Sequence, residues 1–434
     1  MGSSDSRRPS RPSAALVAAL TLAGVASARG ESALPAASET AAVSAIAARV
    51  DQRGAQTRLL FELTAPVKVE AFAAAGSRII VDLPEVAFRL DPTIGRDAAA
   101  LPTTLGDAPP SADGALIRSF RFGLFATGRS RVVIDLVRPA RIVRAESVER
   151  PEGARLEIDL VPEDQNAFDQ AVAVHAGTTS QTAGAAPRAA APAPSDAGQQ
   201  ALPLVVIDPG HGGVDIGASG RHGELEKNIV FEFAQALKAS IEKSARARVL
   251  LTRDSDVFIP LDGRVRFARE HGASLFLSIH ADTLGAGNVQ GATVYTVAAK
   301  ATDAESARIA AKENLADQAA GVESKAEAEE VGDILFDLAR RETRALGREF
   351  SAVLLSKWRE RASLNKNPSR AASFVVLKAH DVPSALLELG YLSSEKDLAN
   401  LTSPEWRARA AEGVREAIEA YFVARDRPSR ADSE

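Results

Sequence analysis

Residues 204–213 read Leu-Val-Val-Ile-Asp-Pro-Gly-His-Gly-Gly. The four apolar residues predict a short buried strand, and the glycines after it let the backbone turn sharply and leave His211 open to a ligand. A glycine-rich turn after a strand is also typical of phosphate-binding loops. This turn lacks the Lys-Ser/Thr pair of a P-loop and the spacing of a dinucleotide-binding fingerprint, so we favour a histidine site at the strand end.

Downstream of this turn, strand-like and helix-like patterns alternate. The patterns predict strands at 204–207, 248–252, 274–280, 292–297, 374–378 and 385–389, and helices at 226–244, near 262–271 and after Ser403-Pro404. Ser is favoured as a helix cap and Pro at the first helical position, which supports the last of these helices. The alternation predicts an α/β catalytic domain over residues 202–426, with a mixed sheet flanked by helices.

Two further residues of this domain are candidates for metal binding. Glu226 opens the first predicted helix, and His280 ends the apolar strand that begins near Leu275. Alone, a helix-start glutamate is explained by the helix dipole, and a strand-end histidine by a satisfied core or capping role. Functional groups collect at the carboxyl ends of strands in open α/β sheets, and two histidines with one carboxylate form a catalytic zinc set. We therefore predict that His211, Glu226 and His280 hold Zn²⁺.

Glu388 is the candidate for proton transfer. It lies in the otherwise apolar segment Ala385–Gly390, where an unpaired carboxylate is costly to bury. One interpretation makes it the partner of a buried arginine. The other makes it a general base that takes a proton from water at the metal site.

The composition narrows the chemistry. The chain has 434 residues, enough for two domains with linkers, and its net charge of -5 argues against wholesale nucleic-acid binding. It contains no cysteine, which excludes disulfides, cysteine-ligated zinc and thiol catalysis. Any metal must therefore bind to carboxylates and to some of the six histidines.

Residues 1–28 are predicted to be an export signal. Three arginines, the last of them Arg11, precede an uncharged stretch, and Ala26-Ser27-Ala28 fits a small-residue cleavage site. A disordered alanine-rich tail is the alternative. The apolar stretch is too short for a comfortable membrane span, so we expect a periplasmic protein without an integral span after cleavage. The choice between the Sec and Tat export routes stays open because the twin-arginine pattern is faint.

Residues 42–165 are predicted to form a small all-β sandwich that precedes the catalytic domain. Short β-branched segments read as strands at 59–63, 78–84, 131–136 and 155–160. The last three share the pattern Arg-x-x-x-Asp-Leu, which suggests strands in similar sheet environments. Residues 166–201 are rich in Gly, Ala, Pro, Ser, Thr and Gln, and they predict a flexible linker.

Four segments carry a family resemblance. DPGHGGVDIGASG, GELEKNIV, LFLSIHAD and ALLELGYLS, in that order, closely resemble the zinc-dependent N-acetylmuramoyl-L-alanine amidases of the type-3 amidase family. The resemblance implies zinc ligation by His211, Glu226 and His280 and a catalytic role for Glu388. It also implies hydrolysis of the amide between N-acetylmuramic acid and L-alanine in peptidoglycan, for daughter-cell separation.

The β-strands before this domain resemble the AMIN domain, a β-sandwich that binds peptidoglycan or helps to place such enzymes at the division site. The stretch from Arg118 to Arg144 holds seven arginines and one aspartate. These arginines could contact acidic wall components. A solvated strand face is an equally good interpretation.

Residues 298–357 are predicted to be an inserted regulatory region. They are charged and alanine-rich, and apolar residues at helical spacing between Val331 and Leu338 predict a helix. Ordinary surface helices would explain this pattern. The division-associated amidases that the chain resembles carry an autoinhibitory helix here, which LytM-type activator proteins displace. On that resemblance we hypothesise that Glu313, Glu329 or Glu330 occupies the open zinc position at rest.

Two other functional classes remain in competition at this point. The metal set alone does not exclude another zinc hydrolase of the cell wall, such as a peptidase that acts within the stem peptide. A non-catalytic wall-binding protein is the other alternative. The presence of three candidate ligands together with Glu388 speaks against it.

Overall fold

The computed structural model of the protein describes residues 42–98, 116–182, 202–285, 289–322 and 334–426. Its first part is the N-terminal β region, residues 42–162. The strands there are β1 Ser44–Arg53, β2 Gln56–Leu63, β3 Glu70–Ala74, β4 Arg78–Pro84, β5 Ala87–Phe88, β6 Ile117–Ala126, β7 Arg129–Leu136, β8 Ala140–Arg150 and β9 Gly153–Pro162. They pair into a five-stranded sheet of order β5-β1-β2-β9-β8 and a four-stranded sheet of order β3-β4-β7-β6.

The two sheets of the β region share one apolar core. Alternate residues of facing strands meet there, including Phe61 of β2, Val81 of β4 and Ile134 of β7. Successive side chains of a strand point to opposite faces, so Ile80 and Val133 lie on the other face of the four-stranded sheet. Both are completely buried as well. That second apolar face is covered by other parts of the chain.

The repeated Arg-x-x-x-Asp-Leu pattern is explained by strand pairing. Strands β4 and β7 are antiparallel, and their register sets Arg78 opposite Asp135 and Asp82 opposite Arg131. Nε of Arg78 lies 2.8 Å from Asp135, and Nε of Arg131 lies 2.6 Å from Asp82. Opposite charges that face each other across a sheet stabilise the pairing, so the shared pattern records cross-strand ion pairs.

The predicted flexible linker at 166–201 is wrong over its first part, because α1 spans Gln165–Thr182. The Asp164 carboxylate accepts a hydrogen bond from the backbone of Ala167 and so caps the helix. Phe168 is buried in the core of the β region, and Val172 packs beside it one turn later. Two apolar residues at helical spacing therefore fasten this segment to the sheets. Residues 183–201 lie outside the described residues.

The catalytic region, residues 202–426, contains a six-stranded sheet. Its elements are β10 Leu204–Pro209, α2 Glu226–Ser244, β11 Arg248–Leu251, α3 Leu261–Glu270, β12 Leu275–His280, β13 Ala292–Val297, α4 Ala304–Glu313, α5 Ala316–Ala319, α6 Ile334–Arg359, β14 Leu364–Ala372, β15 Ser384–Glu388, α7 Glu395–Leu401 and α8 Pro404–Arg425. The strand order is β11-β10-β12-β15-β13-β14, and only the β13–β15 pairing is antiparallel. The predicted mixed sheet flanked by helices is confirmed.

Two sequence predictions in this region are wrong. The predicted strand at 374–378 is a 3₁₀ turn at Val375–Leu377, and β14 supplies the edge strand instead. The predicted insert at 298–357 extends too far, since Phe350 and Leu354 of α6 are completely buried in the core shared with α2 and α8. Short apolar runs and buried helices cannot be distinguished by periodicity alone.

Among the described residues, no helix is long and apolar enough to cross a membrane.

Candidate active site

The three predicted metal ligands converge at the carboxyl ends of β10 and β12. His211 follows β10, His280 ends β12, and Glu226 is the first residue of α2. Nε2 of His211 lies 3.2 Å from Oε2 of Glu226, and Nδ1 of His280 lies 3.2 Å from Oε1 of Glu226. All three side chains are buried. The structure therefore brings together the residues that the sequence selected.

Glycines make this close approach possible. His211 itself has a positive φ of 58°, in the left-handed region that few non-glycine residues adopt. A Cβ atom at Gly210 would lie 2.4 Å from the His280 ring, and one at Gly217 would lie 2.7 Å from both His211 and Glu226. Position 210 therefore requires glycine for space, and position 217, where φ is 67°, requires it both for space and for its backbone conformation.

Two buried arginines hold the loop that carries His211. Arg264 donates to the carboxylate of Asp208 at 2.8 Å and to the carbonyl of His211 at 2.8 Å. Arg253 donates to the carbonyls of Pro209 and Gly210, each at 3.0 Å. Burial raises the pKa of Asp208, but Arg264 and two hydroxyl donors outweigh it and lower the pKa overall. The sequence reasoning missed this network, which no local pattern reveals.

Asp215 sets the orientation of the His211 ring. Its Oδ2 lies 2.8 Å from Nδ1 of His211, four residues earlier in the chain. The other ring nitrogen, Nε2, is buried and has no hydrogen-bond partner among the described residues. A carboxylate on one nitrogen fixes the tautomer that offers the other nitrogen to a metal. Asp215 was also missed, although its place four residues after His211 is a usable signal.

Glu226 is held as an ionised carboxylate between the histidines. Its Oε2 accepts a hydrogen bond of 2.7 Å from the backbone of Ala218, and its Oε1 accepts one of 2.9 Å from Ala281. Burial raises the pKa of Glu226, but His211 and His280 outweigh it, so the pKa lies well below its usual range. The positive N-terminus of α2 favours the same ionised state.

Glu313 reaches the site from the end of α4. Its Oε2 lies 3.4 Å from Nε2 of His211 and 3.2 Å from Nδ1 of His280, while its Oε1 has no hydrogen-bond partner. Ligand-type atoms of His211, His280 and Glu313 all lie within 4.8 Å of one another. Burial and the Glu226 carboxylate raise the pKa of Glu313 above its usual value. Glu329 and Glu330, the other two candidates, lie outside the described residues.

Glu388 lies beside His280, because β12 and β15 pair in a register that sets these two residues opposite each other. Its side chain is completely buried. Its Oε2 accepts a hydrogen bond of 3.0 Å from the backbone of Asp282, and its Oε1 has no partner. Burial, and then the carboxylates of Asp282, Glu226 and Glu313, raise the pKa of Glu388 well above its usual value. Among the described ion pairs none joins Glu388 to an arginine.

Asp282 and Lys312 complete the site, and the sequence reasoning missed both. Oδ1 of the completely buried Asp282 is ion-paired with Nζ of Lys312, while its Oδ2 has no hydrogen-bond partner. Burial lowers the pKa of Lys312, but the carboxylates of Glu226, Glu313 and Asp282 raise it overall. Lys312 directly precedes Glu313, so two neighbouring side chains of α4 engage the site together.

The donor set fits a divalent metal ion. Buried carboxylates outnumber the single lysine, and His211 Nε2 and Glu313 Oε1 have no hydrogen-bond partner. An unpartnered buried polar atom is costly unless a ligand satisfies it. Imidazole nitrogens with carboxylate oxygens, and no cysteine, are ligands that zinc accepts.

Such a site at the edge of a mixed sheet is typical of metal-dependent hydrolases. Residues 205–420 match the N-acetylmuramoyl-L-alanine amidase family. The chain is 32% identical over 388 residues to the N-acetylmuramoyl-L-alanine amidase AmiC of Escherichia coli O6:H1, covering 87% of this chain and 89% of that protein. Identity to AmiC of Neisseria meningitidis serogroup B is 30% over 387 residues, with the same coverage. AmiA of Escherichia coli K12 is 34% identical over 220 residues, covering 50% of this chain and 76% of AmiA.

The chain therefore belongs to the N-acetylmuramoyl-L-alanine amidase family. The family resemblance carried by the four sequence segments is confirmed at this level.

Proposed function

We propose that the protein is a zinc-dependent amidase that hydrolyses the amide between N-acetylmuramic acid and L-alanine in peptidoglycan. The observation that carries the proposal is the convergence of His211, Glu226 and His280 beside the buried Glu388, in a chain of this family. Mass analysis of digested peptidoglycan tests it. An amidase releases stem peptides free of sugar, whereas a stem-peptide peptidase leaves residues of the stem attached to the glycan.

The residues divide the chemistry among them. His211, Glu226 and His280 would hold the ion, which when bound polarises the scissile carbonyl and lowers the pKa of water. Glu388 accepts a proton from the attacking water as the new C–O bond forms. It then delivers that proton to the amine nitrogen as the C–N bond breaks. A carboxyl whose pKa burial has raised suits both steps, because it exchanges protons closer to neutral pH.

Glu313 supports the proposal of an autoinhibited resting state. Its carboxylate lies against both histidines where substrate would have to approach, and Lys312 anchors the same turn of helix to Asp282. We expect Glu313→Ala to raise the basal rate on a soluble muropeptide by at least about tenfold, because the site is then open without an activator. Arg308→Ala, on the exposed side of α4, should leave that rate unchanged. A folded Glu313→Ala protein with the parental rate would refute the blocking role.

A point substitution is a sharper test than removing residues 306–336. Ile309 and Ala310 of α4 are buried in the core beside the sheet, so that deletion would also expose apolar surface of the catalytic region. LytM-type activators act, in this proposal, by displacing α4 from the site.

The remaining parts of the proposal concern placement in the cell. Residues 1–28, outside the described residues, would direct export to the periplasm, and residues 42–165 would act as an AMIN-type domain that binds the wall for daughter-cell separation. The 388-residue match with AmiC is longer than the catalytic region, so part of the chain before residue 202 also resembles AmiC. Five of the seven arginines between 118 and 144 are ion-paired with acidic side chains, which favours a structural role for most of that stretch.

A further inference from the structure

The segment that carries Glu313 is anchored on both sides of it. We call residues 302–322 the inhibitory segment. Before Glu313 in the chain, Glu305 is ion-paired at 2.6 Å with Arg370 of β14. After Glu313, the Asp317 carboxylate accepts a hydrogen bond of 2.9 Å from the backbone of Leu261. Beyond Asp317 the segment contacts the N-terminal β region through Ala320 and Gly321.

The surface that it reaches is the outer face of the four-stranded sheet, formed by Ile80 of β4 and Val133 of β7. Both side chains are completely buried, in a cluster that includes Ala320 of the inhibitory segment and Phe258 of the catalytic region. An antiparallel sheet with only one covered face alternates apolar and polar residues. Strands β4 and β7 instead carry apolar residues on both faces, so this outer face is built to be covered.

Arg131 lies at the centre of this contact. Its Nε and Nη2 bind the carboxylate of Asp82 at 2.6 and 2.9 Å, while its Nη1 donates to the carbonyls of Ala320 and Gly321, each at 3.1 Å. The guanidinium also stacks 3.6 Å from the ring centre of Phe125. Its side chain is only 6% exposed, so losing the two carbonyl acceptors would leave a buried charged donor unsatisfied.

Gly321 shows how closely the segment approaches the sheet. Its φ is 70°, and a Cβ atom there would lie 2.3 Å from Cδ1 of Ile80. A side chain at position 321 would therefore force the buried Ile80 side chain to shift, and it would also require a left-handed backbone conformation that non-glycine residues rarely adopt.

We infer that this outer face is a docking surface for Ala320–Val322 and that docking holds Glu313 in the active site. The β region is then an inhibitor of its own catalytic region, in addition to any role in wall binding. Backbone hydrogen bonds run from Leu315 to Lys312, from Ala319 to Leu315 and from Ala320 to Ala316. These hydrogen bonds connect the contact of Glu313 with the histidines to the contact of Ala320–Val322 with the sheet. Breaking the contact with the sheet is therefore expected to weaken the contact of Glu313 with the histidines. The inference rests on the proposed blocking role of Glu313.

Two substitutions test the contact from opposite sides. Gly321→Ala changes the segment and leaves the sheet intact, while Arg131→Ala removes the two hydrogen bonds from the sheet. We expect each substitution to raise the basal rate on a soluble muropeptide about tenfold. That factor corresponds to a loss of about 1.4 kcal/mol in the stability of the closed state, in which Glu313 lies in the active site, relative to the open state. Amide hydrogen exchange of Ser306–Glu313 should accelerate in both variants, measured without added metal as well as with zinc.

Each substitution has a matched control. Gly128 also has a positive φ, 76°, but open space where its Cβ would lie, so Gly128→Ala adds backbone strain without a clash. Arg129 also binds Asp82 at 2.8 Å and is half-exposed, and among the described residues it forms no hydrogen bond with the inhibitory segment. Gly128→Ala and Arg129→Ala should keep the parental rate and exchange. If they accelerate catalysis as much as the test variants, general loosening of the β region explains the effect and the inference is wrong.

A second experiment, with double variants, distinguishes failure of the docking inference from failure of the proposed blocking role of Glu313. In a Glu313→Ala background, Gly321→Ala and Arg131→Ala should change the rate by no more than about twofold, since closure no longer blocks the site. If both variants are folded and keep parental rate and exchange while Glu313→Ala is accelerated, the segment closes without the sheet and the inference fails. If Glu313→Ala itself is not accelerated, it is the blocking role of Glu313 that fails.

Discussion

The N-terminal β region and the active-site edge of the catalytic region differ in whether their buried carboxylates have partners for all their oxygens. In the β region, Asp82 and Asp159 are buried and each is ion-paired with an arginine of the neighbouring strand. At the active site, Asp282, Glu313 and Glu388 each keep a buried oxygen without a hydrogen-bond partner. Among the described residues these are the only carboxylates that do.

The difference distinguishes structural charges from functional ones. A carboxylate that accepts from an opposing guanidinium recovers the cost of its burial and strengthens the strand pairing. A carboxylate with an unpartnered oxygen destabilises the fold unless a proton, a metal or a substrate satisfies it. Neutralising the first kind should therefore cost stability, and neutralising the second kind should cost activity.

The largest effect is expected for Glu388→Gln. We expect kcat on a soluble muropeptide to fall by about 10²- to 10⁴-fold, because the proton carrier is lost while the side chain keeps its size. The unfolding temperature should not decrease, since the substitution removes an unfavourable buried carboxyl. Activity assays and thermal unfolding of the same preparation measure both. A folded variant within tenfold of the parental kcat would remove Glu388 from the mechanism.

The Phe168→Ala variant measures how much the apolar core, as distinct from the ion pairs, contributes to the stability of the β region. We expect a loss of about 3 kcal/mol in the free energy of unfolding, as for other phenylalanines truncated in a core. Val174→Ala, on an exposed face of the same helix, should cost little. Equal denaturation profiles for Phe168→Ala and the parent would show that α1 does not dock on the sheets in solution.

Zinc should satisfy the unpartnered atoms of the active site. Adding Zn²⁺ at about 100 times its Kd to metal-free protein should stabilise the folded state by about 2.7 kcal/mol, seen as a higher unfolding temperature. Mg²⁺, which prefers oxygen ligands, should have a much smaller effect. His211→Ala should abolish the zinc response. An unfolding temperature that does not respond to zinc in the parent would contradict the metal assignment.

The smallest effect is expected for Asp159→Asn in the β region. Loss of a charge-assisted pair with Arg58 should lower the free energy of unfolding by about 2 kcal/mol. Because Asp159 lies far along the chain from the catalytic groups and in another sheet, kcat on a soluble muropeptide should stay at the parental value. A fall in kcat without a change in stability would erase the distinction between the two regions.

Much of the catalytic region could be predicted because its signals are local. The helix at Glu226–Ser244 and the strand at Ala292–Val297 have the predicted bounds. The family segments also indicated His211, Glu226 and His280 as candidate metal ligands and Glu388 as a candidate catalytic residue. The structure brings these four residues together. The linker prediction failed because a composition typical of disorder also contained Phe168 and Val172, whose burial depends on a sheet elsewhere in the chain.

The sequence alone determined the strand-end histidines, the helix-start glutamate, the mixed α/β fold and the family, because periodicity, caps and glycine turns act over a few residues. Only the tertiary structure decided that Glu313 reaches the histidines, that Asp282 lies between Lys312 and Glu388, and that Gly321 rests on Ile80. These contacts join residues far apart in the chain. They depend on how sheets and helices pack, and no short pattern in a single sequence records that packing.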